Sequence, residues 1–196
     1  MRPRGRPAHD YDGAMLFRFF RQPAIDPLQV SMTGVRMGER FLLVGCDDPV
    51  LLAGLGAKAG LSGLAAAVVL DEHQAVRARV AAAREGFLID QKIWRDGPIA
   101  FDEAAFDLAV IDDTLAGFSG RDAVVRGALL GEVRRALRRG GRVEVVEGLG
   151  SSGLFAKATV RPPAYDVTAE LEAVGFKPVR VLAELANFRF VEGVRL

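Results

Sequence analysis

The chain has 196 residues, half of them hydrophobic, with 26 basic against 25 acidic side chains and a formal charge of +1. That length suits one domain with a substantial core and is short for two, and so even a balance supplies no field to attract nucleic acid or an anionic membrane. A lone cysteine, Cys46, excludes an internal disulfide and paired-cysteine zinc sites and points to a reducing, cytoplasmic setting, while His9 and His73 stand in unrelated contexts that make neither a metal site nor a catalytic triad.

The basic start, MRPRGRP, reads as a flexible arm, and no secretory signal follows because Arg18 and Arg21 interrupt the apolar residues after it. Met15, Leu16, Phe19 and Phe20 recur at helical spacing, which predicts a helix near residues 14–22. It could lie over the core or the mouth of a site, or rest on a membrane surface. No segment reaches the roughly 20 apolar residues that a membrane span needs. Residues 1–36 are therefore expected to form an arm and lid helix, closed by Pro23 and Pro27, and residues 37–196 an α/β domain.

That domain opens with FLLVG at residues 41–45, an apolar run of strand length. Asp48 then stands where a helix cap belongs, with Pro49 at the first helical position, and the helix should run to about Ala59 and stop at Gly60. Gly54 and Gly56 would let it lie close to a sheet. A buried strand, LAAAVVL, occupies 64–70. The helix EHQAVRARVAAARE follows, with Val76 and Val80 on one face and a stop at Gly86. FLIDQKIW and FDLAVID are further strands. Residues 121–139 read as a long helix whose last turn carries Arg134, Arg135, Arg138 and Arg139 before a Gly140-Gly141 stop. No aromatic residue interleaves with these arginines, which suits helix-end charge better than a nucleic-acid patch. After the strand RVEVVE come a glycine-rich turn, the helix TAELEAVGF, and two strands, PVRVLAE and FRFVEGV, joined too closely for anything but an antiparallel pair.

Alternating strands and helices predict a Rossmann-like three-layer α/β sandwich, a mostly parallel seven-stranded sheet with a C-terminal antiparallel hairpin. A strand ending in Gly45-Cys46, a helix, and a second strand closing on Asp71 is how nucleoside-binding α/β domains begin. Backbone that must approach a ligand favours glycine at position 45, and a carboxylate such as Asp71 can accept hydrogen bonds from both ribose hydroxyls, although it would serve equally as a helix cap. Asp96 sits in a loop before Gly97-Pro98, and Asp112 ends a strand at the sheet edge where ligands bind.

Across residues 37–195 these segments resemble the class I S-adenosylmethionine-dependent methyltransferases, especially small-molecule members such as the ubiquinone and menaquinone biosynthesis enzymes. Gly38-Glu39-Arg40-FLLVGC is similar to that family's approach to its first strand, and Asp71-Glu72 to the acid after the second. IAFDEAAFDLAVIDDTL, LLGEVRRALRRGGRVEVVE and LEAVGFKPVRVLAE follow in family order. The resemblance implies S-adenosylmethionine as cofactor, held by Gly45, Cys46, Asp47, Asp71, Glu72, Asp96 and Asp112, and a small organic acceptor, with residues 14–22 and 148–166 as a lid. It implies no universal catalytic residue, because methyl transfer from a sulfonium needs mainly alignment. Cys46 is expected to be a buried packing residue rather than a nucleophile.

The chain departs from the family where the cofactor's amino-acid end should lie. Leu43 replaces an acid, and Asp47 and Pro49 replace glycines. Either Asp47 or Asp48 takes over the ammonium group, or the loop is a well-capped helix start in a protein that lost the cofactor and serves as a binding or assembly subunit; under either reading a homodimer or a protein partner is open. A nicotinamide oxidoreductase is disfavoured: the G-x-G-x-x-G turn is absent and two aspartates would repel a pyrophosphate.

Overall fold

The computed structural model describes residues 27–150 and 165–196. The expected helix at 14–22 and most of the expected lid at 148–166 lie outside them. In chain order the elements are α1 (Pro27–Met32), β1 (Arg40–Val44), α2 (Pro49–Ala59), β2 (Leu64–Val69), α3 (Glu72–Glu85), β3 (Ile89–Ile93), β4 (Phe106–Asp113), α4 (Ala123–Ala136), β5 (Leu137–Gly148), α5 (Val167–Ala173), β6 (Val179–Leu185) and β7 (Phe188–Val194).

The seven strands form one sheet in the order β3-β2-β1-β4-β5-β7-β6. The first five are parallel, and β7 runs antiparallel to both β5 and β6, as expected. Ala186 and Asn187, both at positive φ, make the two-residue turn of the hairpin. Successive residues of a strand face opposite sides, so Leu42 and Val44 enter one core with α4 and α5. Phe41 and Leu43 enter the other, beneath α1, α2 and α3. With both faces covered, the central strands read as unbroken apolar runs.

Most local signals act as their chemistry dictates. Asp48 caps α2 by accepting from the Val50 N–H at 2.8 Å, and Pro49 follows it. A side chain on Gly56 would meet the ring of Phe87, in the loop before β3, at 2.2 Å, so the close approach of α2 at this glycine is to a loop residue rather than to the sheet.

Three expectations are corrected. Pro27 begins a helix instead of only closing one, because a proline lacks just the N–H that a first-turn residue leaves unused. Val76 and Val80 are about half exposed, and α3 buries Gln74 together with Ala75, Ala78, Ala81 and Ala82, small residues that let it pack tightly against α2. The long helix ends at Ala136, not 139. Leu137 pairs with Phe106, the ladder shifts register, and Arg138 reaches Asp107 at 2.6 Å from within β5, so pairing with β4 overrides the helical pattern.

Candidate functional site at the carboxyl ends of β1, β2 and β4

The sheet order reverses between β1 and β4, and the crevice outside such a crossover is where open α/β sheets take ligands. Gly45 leaves β1 at φ 82°, and its N–H donates to the Val68 carbonyl at 2.8 Å. A Cβ there would lie 3.1 Å from the Asp112 carbonyl oxygen, so both conformation and space favour glycine. Cys46 is fully buried, and its carbonyl accepts from Arg77 Nε at 2.9 Å. Burial above all, then the Asp112 carboxylate, pushes the thiol up to about 12, which suits packing and not nucleophilic attack.

Asp112, the last residue but one of β4, has no exposed surface. One carboxylate oxygen accepts from the Asp48 N–H at 2.7 Å, and the other from the Thr114 hydroxyl at 2.7 Å and the Thr114 N–H at 3.2 Å. Burial pushes this carboxyl up to about 7, with the Asp47 carboxylate adding to the rise and the hydrogen bonds opposing it.

Asp47 turns inward across the crevice. Gln74 Nε2 donates to its Oδ1 at 2.9 Å, while the N–H groups of Gly117 and Leu115 donate to its Oδ2 at 2.9 and 3.3 Å. Gln74 is buried too. Its Oε1 accepts from the Leu70 N–H and its backbone N–H donates to Asp71 Oδ1, each at 2.8 Å. A chain of polar contacts thus runs from Asp71 through Gln74 and Asp47 to the loop after β4. Arg121 adds a bond to the Leu70 carbonyl at 3.3 Å.

The structure therefore brings Gly45, Cys46, Asp47 and Asp112 together and joins Asp71 to them through Gln74. Asp71 is exposed and caps α3, the alternative role that aspartate there allows. Glu72 is exposed in the first turn of α3. Asp96 lies on the loop after β3, where with Trp94 and Pro98 it lines a cavity of about 170 Å³. Sequence reasoning missed Gln74, Thr114 and Gly117. Only Gln74 carried a signal: an aspartate followed three residues later by glutamine is close to a capping box. Among the described residues no group of three or more His, Cys, Asp or Glu could hold a metal.

No family model and no curated protein matches the sequence. Solved structures do match. A SAM dependent methyltransferase from Aquifex aeolicus aligns with a TM-score of 0.66 at 18% identity, over 87% of this chain and 90% of that one. The chain has the fold of the S-adenosylmethionine-dependent methyltransferases. The methyltransferase SibL in its apo form gives a TM-score of 0.61 at 22% identity over 88% of this chain, and PigF with SAH gives 0.56 at 19% over 81%. The chain spans only about half of either, 54% and 51%.

Tested against the cofactor of that fold, the residues present would receive its two ends differently. Asp71 is exposed and engages one oxygen with the Gln74 N–H. An ionised carboxylate has about four acceptor positions, so it retains capacity for two ribose hydroxyls. Gly45, after the adjoining strand β1, is buried, and the place of its missing side chain is taken by the Asp112 carbonyl. The amino-acid end does not fit this arrangement: Leu43 is fully buried and apolar, Asp48 caps α2, and both Asp47 oxygens are engaged within the chain.

Proposed function

We propose that this chain is an S-adenosylmethionine-dependent methyltransferase acting on a small organic acceptor. The observation that carries this reading is the pairing, at the β1–β4 crossover of a methyltransferase fold, of a side-chain-free Gly45 at positive φ with the exposed Asp71 carboxylate at the end of the adjoining strand. Asp71 would hold the ribose, Glu72 would border the adenine, and Asp96 would meet its amino group. Asp112 acts through the Asp48 N–H, fixing the loop shape over which the cofactor lies. The bound cofactor would supply an electrophilic methyl group. No catalytic base is assigned, because alignment of acceptor and methyl carbon is the main requirement. The apolar residues near 14–20 favour a hydrophobic acceptor, in keeping with the resemblance to quinone-biosynthesis enzymes, and a cytoplasmic setting accords with the lone buried cysteine.

One observation favours a second reading. Because Asp47 is engaged within the chain where the cofactor's ammonium group would need an acid, the fold could serve as a non-catalytic binding or assembly subunit. Calorimetric titration of S-adenosylmethionine and S-adenosylhomocysteine separates the two readings. Binding near micromolar strength, about −8 kcal/mol, is expected, weakened at least about tenfold in Asp71→Asn, which keeps a helix cap but loses the charge. No binding by folded protein at millimolar ligand would reject the enzyme and direct attention to stable protein complexes.

A further inference from the structure

Three donors from two separate elements converge on the Asp47 carboxylate: Gln74 Nε2 from α3, and the Leu115 and Gly117 N–H groups from the loop after β4. Ala116 between those two amides sits at φ 60°, a left-handed residue within a run of N–H groups, which is the geometry of an anion-binding concavity. Gly117 completes it, since a Cβ there would lie 2.5 Å from Asp47 Oδ1 and 2.6 Å from Oδ2. A carboxylate can seat here only because residue 117 has no side chain. The cradle spans the crossover between β1 and β4, and its carboxylate comes from the chain itself.

We infer that the 115–117 loop and Gln74 form a carboxylate-binding cradle filled in cis by Asp47, so that Asp47 is a latch across the crevice and a ligand bearing an amino-acid carboxylate enters by displacing it. This rests on the reading that the crossover takes the cofactor, whose amino-acid end is the part the closed arrangement does not fit. A latch of this kind lowers apparent affinity by the fraction of molecules in which it is released. Removing the Asp47 carboxylate should therefore tighten binding of a ligand that can supply its own.

The test uses the full chain as wild type, Asp47→Ala and Gly117→Ala, the last evicting the carboxylate with a methyl group while leaving its charge in the loop. Asp47→Ala should melt below wild type in sodium chloride and recover in sodium acetate of equal ionic strength, with wild type indifferent to the exchange. S-adenosylhomocysteine should bind it about tenfold more tightly, as expected if about a tenth of wild-type molecules are released. Methylthioadenosine, which lacks the carboxylate, should gain much less. Failure of acetate to stabilise Asp47→Ala beyond chloride overturns the cradle, and weaker S-adenosylhomocysteine binding overturns the latch by making Asp47 a ligand contact. If neither protein binds the nucleoside ligands, the methyltransferase reading fails while the acetate result still decides the cradle. Should Asp47→Ala not fold, amide hydrogen exchange at Leu115 in Gly117→Ala decides the question: faster exchange than wild type supports the latch, and unchanged protection overturns it.

Discussion

Two carboxyl groups lie buried in adjacent strands and are treated differently. Asp112 of β4 is enclosed by three donors, while Glu144 of β5 stands directly across from Glu192 of β7. Burial leads both shifts, yet Asp112 rises to about 7 and Glu144 to about 10, where the Glu192 carboxylate adds to the rise. The nearby cations bring Glu144 little relief, because Arg142 is paired with Glu39 at 2.9 Å and Arg180 with Glu192 at 2.6 Å. Like charges directly opposite in a ladder repel, so Glu144 keeps its proton beside the Glu192 side chain. Both sites disfavour the charged form, the one at the candidate site less than the one in the antiparallel half, because three donors face Asp112 and a second carboxylate faces Glu144.

The largest effect should come from stranding the donors around Asp112. Asp112→Ala leaves the Asp48 N–H and both Thr114 donors without their acceptor, and should cost about 3 kcal/mol in urea unfolding near pH 4, below the range in which burial of the ionised carboxyl offsets the loss. A loss well under 1 kcal/mol would mean the cage matters little and would erase the contrast with Glu144.

Glu144→Gln tests the other half. A raised folded pKa means that the contribution of Glu144 is fully present below its unfolded value of 4.5 and is lost as pH rises through about 10. Glutamine still donates to Glu192 and cannot ionise. The variant should match wild type near pH 5 and melt about 3 °C higher near pH 9.5, a shift worth about 1 kcal/mol in a chain this long. Parallel melting curves across that range would break the comparison. Asp112 follows the same sign in a lower window, its contribution present below 3.8 and lost through about 7.

The smallest effect concerns Cys46, which shares the Asp112 environment. With no exposed surface and a thiol near 12, it should resist iodoacetamide at pH 8 in the folded protein and react only at the rate of unfolding. Rapid labelling of native protein would show the loop after β1 to be open, and with it the Asp112 cage.

What could be read without the structure was local. Asp48-Pro49, Gly60 and Gly86 delimit helices through bonds to residues two to four positions away, so their meaning survives in the linear chain. Strand ends were legible too, which is why Gly45 and Asp112 are placed at the carboxyl ends of strands, where sheet ligands bind. The misreading of the long helix came from long-range pairing: Arg138 and Arg139 continue a helical pattern, yet β5 has already begun at Leu137, paired with Phe106, and they fall in the register shift that follows. The partners of Asp47 lie 27, 68 and 70 residues away in sequence, and nothing in the run Thr114 to Gly120 announces that Gly117 must be bare.

The sequence by itself determined the alternation of strands and helices, the hairpin at the end, and which residues stand at the ligand edge, because periodicity, caps and turns act between near neighbours. Only the tertiary structure decided what those residues do there. A loop aspartate has several donors within reach, and the choice among them is made by where the sheet sets the amides of Leu115 and Gly117 and the side chain of Gln74. That placement turned Asp47 inward across the crevice and left Asp71 exposed.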